Sequence, residues 1–101
     1  MPSVLFMVKA TISESDEEAF NRWYDEEHVP QFLSYPGAVS ARRYRAIMGE
    51  DKFRYLAVYE VRDEETFRRL MDSEHMANLR SEFDAHFQSE RHREAYVQVW
   101  P

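Results

Sequence analysis

The composition of this chain limits the classes of protein to which it can belong. It has 101 residues, enough for one domain over residues 1–101, and 44% of them are hydrophobic. The net charge of -6 argues against a nucleic-acid partner, because such proteins depend on clustered Lys and Arg side chains. The absence of cysteine excludes disulfides, thiolate metal sites and thiol catalysis. No apolar run approaches the roughly 20 residues of a membrane span, and the N-terminus does not resemble a secretory leader, so we expect a cytoplasmic protein without a membrane partner.

The first forty residues predict a strand and then a helix. Val4 to Ile12 is rich in β-formers and apolar on both faces, as in a strand that is covered on two sides. The sequence Ser15-Asp16-Glu17-Glu18 matches a capping box and predicts the start of a helix. Pro30 should kink or break this helix near His28, because proline disfavours helical geometry at the preceding residue and removes a backbone donor. Pro36-Gly37 then ends the helical segment.

The rest of the chain predicts a hairpin, a second helical region and a last strand. Ala38 to Ile47 and Phe53 to Val61 are strand-like runs joined by a polar turn, which is typical of a β-hairpin. A helical region from the N-cap Asp63 to about Phe87 follows, and acidic residues occupy its first turn. Ser73 can begin a separate segment inside it. Tyr96 to Trp100 predicts the final strand.

This order of elements, β-α-β-β-α-β, predicts an α+β fold of the ferredoxin-like type. Its four-stranded antiparallel sheet carries both helical regions on one face. The third strand nevertheless has large apolar residues on both faces, since Tyr55 and Tyr59 alternate with Leu56 and Val58. A contiguous apolar sheet face is unusual on a monomer. We therefore expect a homodimer in which a second sheet covers the face that the helices leave bare.

His28 is the main candidate for catalysis. Phe20, Tyr24 and His28 share one helical phase, so a titratable ring ends a stripe whose other members should face inward. Imidazole titrates near neutral pH and can act as a general acid or base. The alternative is a structural histidine bonded to the backbone that Pro30 leaves free.

His75 is a second candidate on the later helical region. If Ser73 caps a new segment, His75 lies in its first turn, where the helix dipole disfavours the imidazolium. His28, near a helix C-terminus, would be favoured as the cation by the same dipole. The two histidines would then form a proton-transfer pair across one cavity. His86 and His92 lie in a polar segment and are expected to be solvated.

The aromatic residues beside His28 have different expected roles. Trp23 and Tyr24 are adjacent in a helix and point in different directions, so at most one of them lines a cavity beside His28. Tyr24 has the better phase and is a third candidate catalytic residue. Phe20 and Trp23 are candidates for substrate contact, with core packing as the alternative for Trp23.

An arginine of the second strand is a candidate for ligand binding. One of Arg42 and Arg43 must point inward, because neighbouring residues of a strand face opposite sides of the sheet. Arg43 is the candidate substrate-binding residue, where its guanidinium can hold a carboxylate or phenolate by a bidentate pair. A salt bridge to one of the many acidic residues is the alternative.

The sequence predicts neither a metal site nor a cofactor. Glu27-His28 and Glu74-His75 are adjacent pairs whose side chains diverge on a helix, and no two histidines have the spacing of a helical or strand metal site. Gly37 and Gly49 are the only glycines, so a glycine-rich phosphate loop is not possible.

Several motifs resemble those of a known superfamily. Asn21-Arg22-Trp23-Tyr24, Glu27-His28-Val29-Pro30, Pro36-Gly37 and Ala41-Arg42-Arg43-Tyr44 resemble the EthD-like branch of the dimeric α+β barrel proteins, in which two ferredoxin-like chains pack sheet to sheet. Ser73-Glu74-His75 is similar, more weakly, to the stress-responsive branch, which includes polyketide cyclases and lyases that use this histidine with a tyrosine. Arg69 stands where the cyclases have the tyrosine.

These observations and the resemblance together predict a class of function. We expect a cofactor-independent enzyme that uses histidine and tyrosine for acid-base chemistry of the lyase, isomerase or cyclase type. Its substrate would be a small apolar molecule of aromatic or polyketide type. A cofactor-free monooxygenase and a non-catalytic binding module for a hydrophobic metabolite are the alternatives.

Overall fold

The computed structural model describes residues 2–101, in which four strands form one antiparallel sheet. The strands are β1 (Val4–Ala10), β2 (Ala38–Arg45), β3 (Tyr55–Val61) and β4 (Arg91–Val97), and their order in the sheet is β2-β3-β1-β4. All three strand pairs are antiparallel. This is the predicted βαββαβ arrangement, so the α+β, ferredoxin-like fold class is confirmed.

The first crossover is one continuous helical segment. It contains a 3₁₀ turn at Glu14–Asp16, helix α1 (Glu17–Trp23), a π-helical turn at Tyr24–His28 and helix α2 (Val29–Leu33). The chain does not break near His28, where a kink or break was predicted, but its helical pattern changes there from π to α. In an α-helix the N–H of residue 30 would bond the carbonyl of residue 26, and proline has no such N–H. The segment remains helical because its backbone bonds shift to the wider π pattern just before the proline.

The second crossover contains two helices, α3 (Glu64–Met71) and α4 (Glu74–His86). Both begin at the predicted caps. The carboxylate of Asp63 accepts a hydrogen bond from the backbone N–H of Thr66 at 2.8 Å. The hydroxyl of Ser73 accepts one from the N–H of Met76 at 3.1 Å. Each cap satisfies a donor that the first turn of a helix otherwise leaves without a partner.

The predicted cap at Ser15 is wrong. Ser15 lies inside the 3₁₀ turn, and α1 begins at Glu17 with no side-chain cap. The hydroxyl of Ser13 is 3.0 Å from the Asp16 carboxylate and 3.3 Å from the Ser15 hydroxyl. These polar side chains bind one another instead of the first backbone N–H groups of the helix.

The final strand also differs from its prediction. It was expected at Tyr96–Trp100, whereas β4 spans Arg91–Val97 and Trp100 is 84% exposed beyond it. β4 is an edge strand in which Arg91 and Arg93 occupy the positions paired with Ala10 and Val8 of β1. Charged residues at these positions hide the apolar alternation on which the prediction depended.

The two faces of the sheet are covered differently. The face beneath the helices contributes buried side chains from the two central strands: Val4, Phe6, Val8, Ala10, Ala57, Tyr59 and Val61. On the opposite face Leu5, Met7, Leu56 and Val58 are only partly buried. Within residues 2–101, no helix combines the length and apolar character that a membrane span requires.

Gly37 fixes the connection between α2 and β2. Its φ of +98° lies in the left-handed region, and a Cβ at this position would stand 2.4 Å from Cγ2 of Thr66. Only glycine meets both conditions without strain. The predicted helix end at Pro36-Gly37 therefore reflects a close approach between the chain and α3.

Candidate active site

A pocket lies between the helices and the helix-facing side of the sheet. Its apolar walls come from β1, α2 and α4 and consist of Phe6, Val8, Phe32, Met76 and Leu79. Its polar lining comes from the π-helical turn, β3, α4 and β4. The volume that the centres of water-sized molecules can occupy is about 30 Å³, which is enough for one or two water molecules. A ring-sized ligand therefore requires side chains to move, and Met76 is the most adaptable wall residue because its side chain is long and unbranched.

The π-helical turn positions the polar groups of this pocket. Tyr24 and His28 both line it, and their ring centroids are 4.8 Å apart. Trp23 is five residues before His28, and in an α-helix such residues point about 140° apart. A π turn joins residues i and i+5, so it brings Trp23 and His28 together. Their rings stack with centroids 4.6 Å apart.

Trp23 consequently supports the site without lining it. It is buried, and it lies between His28 and His86, whose ring centroid is 4.9 Å away. The prediction that only one of the adjacent aromatics reaches the cavity agrees with this arrangement, since Tyr24 lines the pocket and Trp23 does not. The stack holds the imidazole of His28 in one orientation.

His28 is a buried and neutral imidazole. Burial, with the nearby positive charges of Arg91 and Arg43, lowers the pKa of His28 from 6.5 to about 4. The sequence argument that a helix C-terminus would favour the cation fails, because the helix continues through α2. The Nδ1 atom of His28 is buried and has no hydrogen-bond partner within residues 2–101. Such an orphaned group is unusual in a protein interior.

Two tyrosines flank the same space. Tyr24 comes from the π turn and Tyr59 from β3, and both line the pocket. Burial raises the pKa of each phenol above its ordinary value, and the Arg43 and Arg91 guanidiniums oppose this rise. Both side chains are therefore protonated at neutral pH. The Tyr59 hydroxyl interacts with that of Tyr24, which leaves the Tyr24 hydroxyl proton for donation to a bound molecule.

His75 lies elsewhere. Its Nε2 atom is 2.9 Å from the backbone carbonyl oxygen of Gln31. It lines a separate polar recess of about 210 Å³ with Gln31, Asn78, Leu79, Ser81 and Glu82. The structure places His75 in the first turn of α4, as predicted, but the two histidines do not share a cavity. A direct proton-transfer pair of His28 and His75 is therefore not supported.

Arg43 and Phe20 are held in the interior by other protein groups. Arg43 is the inward member of its pair, and its guanidinium hydrogen-bonds Asn21 Oδ1 at 2.8 Å and the Asp25 carboxylate at 2.9 Å. It also lies 4.6 Å from the ring centroid of Tyr24. Phe20 is 1% exposed. Neither residue lines the pocket around His28, so the structure does not place them for direct contact with a ligand there.

The sequence did not identify three arginines of this pocket. Arg80 of α4 and Arg91 and Arg93 of β4 complete its lining. Alternate residues of β4 lie on the same face of the sheet, namely Arg91, Arg93, Ala95 and Val97. This alternation is the signal that could have revealed the strand. Its charged first half led to the prediction of β4 too late in the chain.

In residues 2–101, no group of three His, Asp or Glu side chains is arranged to bind a metal ion.

Solved structures with the same fold have low sequence identity to this chain. A Dabb family protein with a ferredoxin-like fold from Mesorhizobium loti has a TM-score of 0.77 at 14% identity, with 99% of this chain and 100% of that chain covered. An EthD family protein from Bacillus halodurans has a TM-score of 0.62 at 20% identity, with coverage of 93% and 99%. A cofactor-independent oxygenase from Streptomyces nogalater has a TM-score of 0.63 at 20% identity, with coverage of 98% and 95%.

These likenesses establish the ferredoxin-like fold, and one of the similar proteins is of the EthD family that the sequence motifs resemble. No curated protein matches the chain. A family model described as a domain of unknown function, DUF4286, matches residues 3–95. Because this match spans nearly the whole fold, from β1 into β4, the chain belongs to the DUF4286 family.

Proposed function

We propose that the protein is a cofactor-independent enzyme in which His28 removes a proton from a small apolar substrate. The observation that carries this proposal is the buried imidazole, whose pKa is lowered to about 4 and whose Nδ1 atom has no partner. A general base must be unprotonated at the working pH and must reach the proton that it takes. His28 meets the first condition and lines the pocket where a substrate would satisfy the second.

The groups around His28 support the later stages of such a reaction. Removal of a proton beside a carbonyl leaves an enolate, whose negative charge needs hydrogen-bond donors. Tyr24 and Tyr59 are protonated phenols that line the same pocket. Trp23 holds the imidazole by stacking. The enolate could then proceed by a lyase, isomerase or cyclisation step.

Proton removal can be tested without knowledge of the natural substrate. We suggest solvent-deuterium exchange at C1 of 2-tetralone, an apolar ketone with an acidic C–H bond, followed by proton NMR. His28→Gln should lower the protein-dependent exchange rate by about a hundredfold or more, the usual size of a general base effect. His75→Gln is the matched control and should retain exchange, because His75 lines a different recess.

Two outcomes would contradict the proposal. Full exchange by His28→Gln would remove His28 as the base. No exchange above the buffer rate in the unaltered protein would favour the alternative, a non-catalytic binding module for a hydrophobic metabolite.

A cofactor-free monooxygenase is the second candidate. The similar structure from Streptomyces nogalater is named as a cofactor-independent oxygenase, and the proposed enolate is the electron-rich species that such a reaction needs. Dioxygen would then place one oxygen atom in the product, and the other would leave as water. Oxygen uptake measured in the same tetralone samples separates the two candidates, because the lyase and isomerase routes consume none.

We also propose that the protein is a homodimer through the open face of the sheet. Met7 and Val58 are paired at the centre of this face, and both are partly buried without cover from the helices. Sedimentation equilibrium at low micromolar concentration should give a mass near twice 12.2 kDa. Val58→Asp should dissociate the dimer, and Ala77→Asp on the exposed side of α4 should not. A soluble monomer of the unaltered chain would contradict the proposal.

A further inference from the structure

Three arginines from two different elements surround the pocket of His28. Arg80 extends from α4, and Arg91 and Arg93 are alternate residues of β4. In the β1–β4 register, Arg91 is opposite Ala10 and Arg93 is opposite Val8. Alternate strand residues share a face, so both arginines lie on the helix-facing side of the sheet. The protein therefore concentrates positive charge at one pocket although its net charge is -6.

Only one of these arginines has an acidic partner within the described residues. Arg91 is 2.7 Å from the Asp84 carboxylate, and its guanidinium lies 3.9 Å from the ring centroid of Phe83. Arg80 and Arg93 have no carboxylate oxygen within 4.0 Å in residues 2–101. Most other cations of the described residues, including Lys9, Arg22 and Arg68, do form such pairs, whereas Arg42, Arg45 and Arg69 do not.

The arrangement has an electrostatic cost. Burial, and then repulsion by Arg91 and Arg80, lowers the pKa of Arg93. The Asp84 carboxylate opposes this lowering of the pKa, but it does not cancel it, and like charges held close together weaken the folded state. Arg80 and Arg93 are exposed to solvent, so an anion from solution can reach their guanidiniums. An anion that binds between the two unpaired guanidiniums would remove the repulsion and gain charge-assisted hydrogen bonds.

We propose that Arg80 and Arg93 bind the carboxylate of an apolar carboxylic acid, whose hydrophobic part enters the pocket toward His28. This assignment rests on the proposed function, and it names the class of its substrate. The apolar walls select the hydrophobic part, and the two guanidiniums select the negative end. A carboxylate suits them because its two oxygens accept parallel hydrogen bonds from a guanidinium.

The test uses a matched pair of probes, 2-naphthoate and its neutral amide 2-naphthamide, titrated into the ¹⁵N-labelled full chain by NMR. The carboxylate should bind at least about tenfold more tightly than the amide, as expected for a charged hydrogen bond. Arg80→Gln and Arg93→Gln should each remove most of this preference and leave amide binding unchanged. Arg22→Gln is the control, because it removes an equal charge from an exposed pair with Glu18. Inorganic phosphate is titrated separately.

The outcomes separate this proposal from the proposed function. If both naphthalene probes bind equally, the arginine assignment is overturned while the apolar pocket stands. If Arg22→Gln weakens naphthoate as much as Arg93→Gln, overall charge explains the preference and the assignment fails. If phosphate binds as tightly as naphthoate, the arginines form a phosphate site and the carboxylate assignment is overturned. If neither naphthalene probe binds, the apolar pocket and the carboxylate assignment fail together.

Discussion

The molecule contains two kinds of arginine on the helix-facing side of its sheet. Arg43 of β2 is held by several protein partners: the side chains of Asn21 and Asp25 bind its guanidinium, and the Tyr24 ring lies against it. Arg93 of β4 has no carboxylate partner among residues 2–101, and neighbouring arginines repel it. The arginine of one edge strand, β2, is paired with protein groups, whereas that of the other edge strand, β4, is not.

The difference between Arg43 and Arg93 distinguishes a structural role from a ligand-binding role. A charged group that is held by several protein partners fixes one local arrangement of the chain. It has few hydrogen bonds left to make with a ligand. Groups left unsatisfied beside a pocket cost stability, and natural proteins keep such groups mainly where a ligand uses them. His28, whose Nδ1 atom has no hydrogen-bond partner among residues 2–101, lines the same pocket as Arg93.

The largest expected effect is a loss of stability in mild acid. The folded protein holds the pKa of His28 at about 4, below its ordinary 6.5. The unfolded state therefore binds more protons between these values, and stability falls as the pH drops from about 6.5 toward about 4. The full loss is about 3 kcal/mol. Urea unfolding at fixed protein concentration, at several pH values in this range, measures it.

His28→Gln is the control for this prediction. It should flatten the dependence of unfolding free energy on pH between about 6.5 and 4.5. Below that range the carboxylates of Asp51, Asp63 and Glu94, whose pKa values are lowered, also contribute. An unchanged slope in the variant would mean that another group is responsible.

The second-largest effect on stability is expected from a change of Arg43. Arg43→Met keeps most of the side-chain length but removes the guanidinium, so Asn21 Oδ1 loses its partner in a half-buried position. Loss of stability should be about 2 kcal/mol, measured by urea unfolding at neutral pH. Arg42→Met is the matched control, since this neighbouring side chain is exposed and should change stability little. Equal effects of the two changes would contradict the comparison.

The fold followed from the sequence because its signals are local. Two strand-like runs joined by a polar turn identified β2 and β3, and the Asp63 and Ser73 caps marked the starts of α3 and α4. Ser15 misled the prediction because a capping pattern does not reveal that neighbouring side chains will bind one another. β4 was misplaced because Arg91 and Arg93 interrupt its apolar pattern.

The site was only partly predictable for a related reason. Helical phase placed Tyr24 and His28 in the same pocket, but no spacing rule indicated the π turn that brings Trp23 onto His28. The charge state of His28 was predicted in the wrong direction, since desolvation outweighs the dipole of a helix that does not end there. Arg80 and Arg93 come together only through the tertiary pairing of β1 with β4.

A smaller effect of opposite sign is expected from His28→Leu. Leucine has a similar volume and no polar atom, so it removes the buried Nδ1 group that has no partner. Stability at neutral pH should rise by about 1 kcal/mol, since an unsatisfied buried polar atom carries a desolvation penalty. The same variant should lose the exchange activity proposed for His28. A clear loss of stability would show that the imidazole contributes more by stacking on Trp23 than it costs.

The smallest effect on stability is expected from a change of Arg93, and it tests the comparison of Arg93 with Arg43 most directly. Arg93→Gln removes a positive charge that Arg80 and Arg91 repel, and it breaks no ion pair. Its unfolding free energy should therefore stay within about 0.5 kcal/mol of the unaltered protein or rise slightly. Arg91→Gln should cost more, because it leaves Asp84 without its partner and removes the cation above Phe83. If Arg93→Gln destabilises the protein as much as Arg43→Met does, Arg93 is a structural residue. The arginines of the two edge strands, β2 and β4, would then have the same structural role.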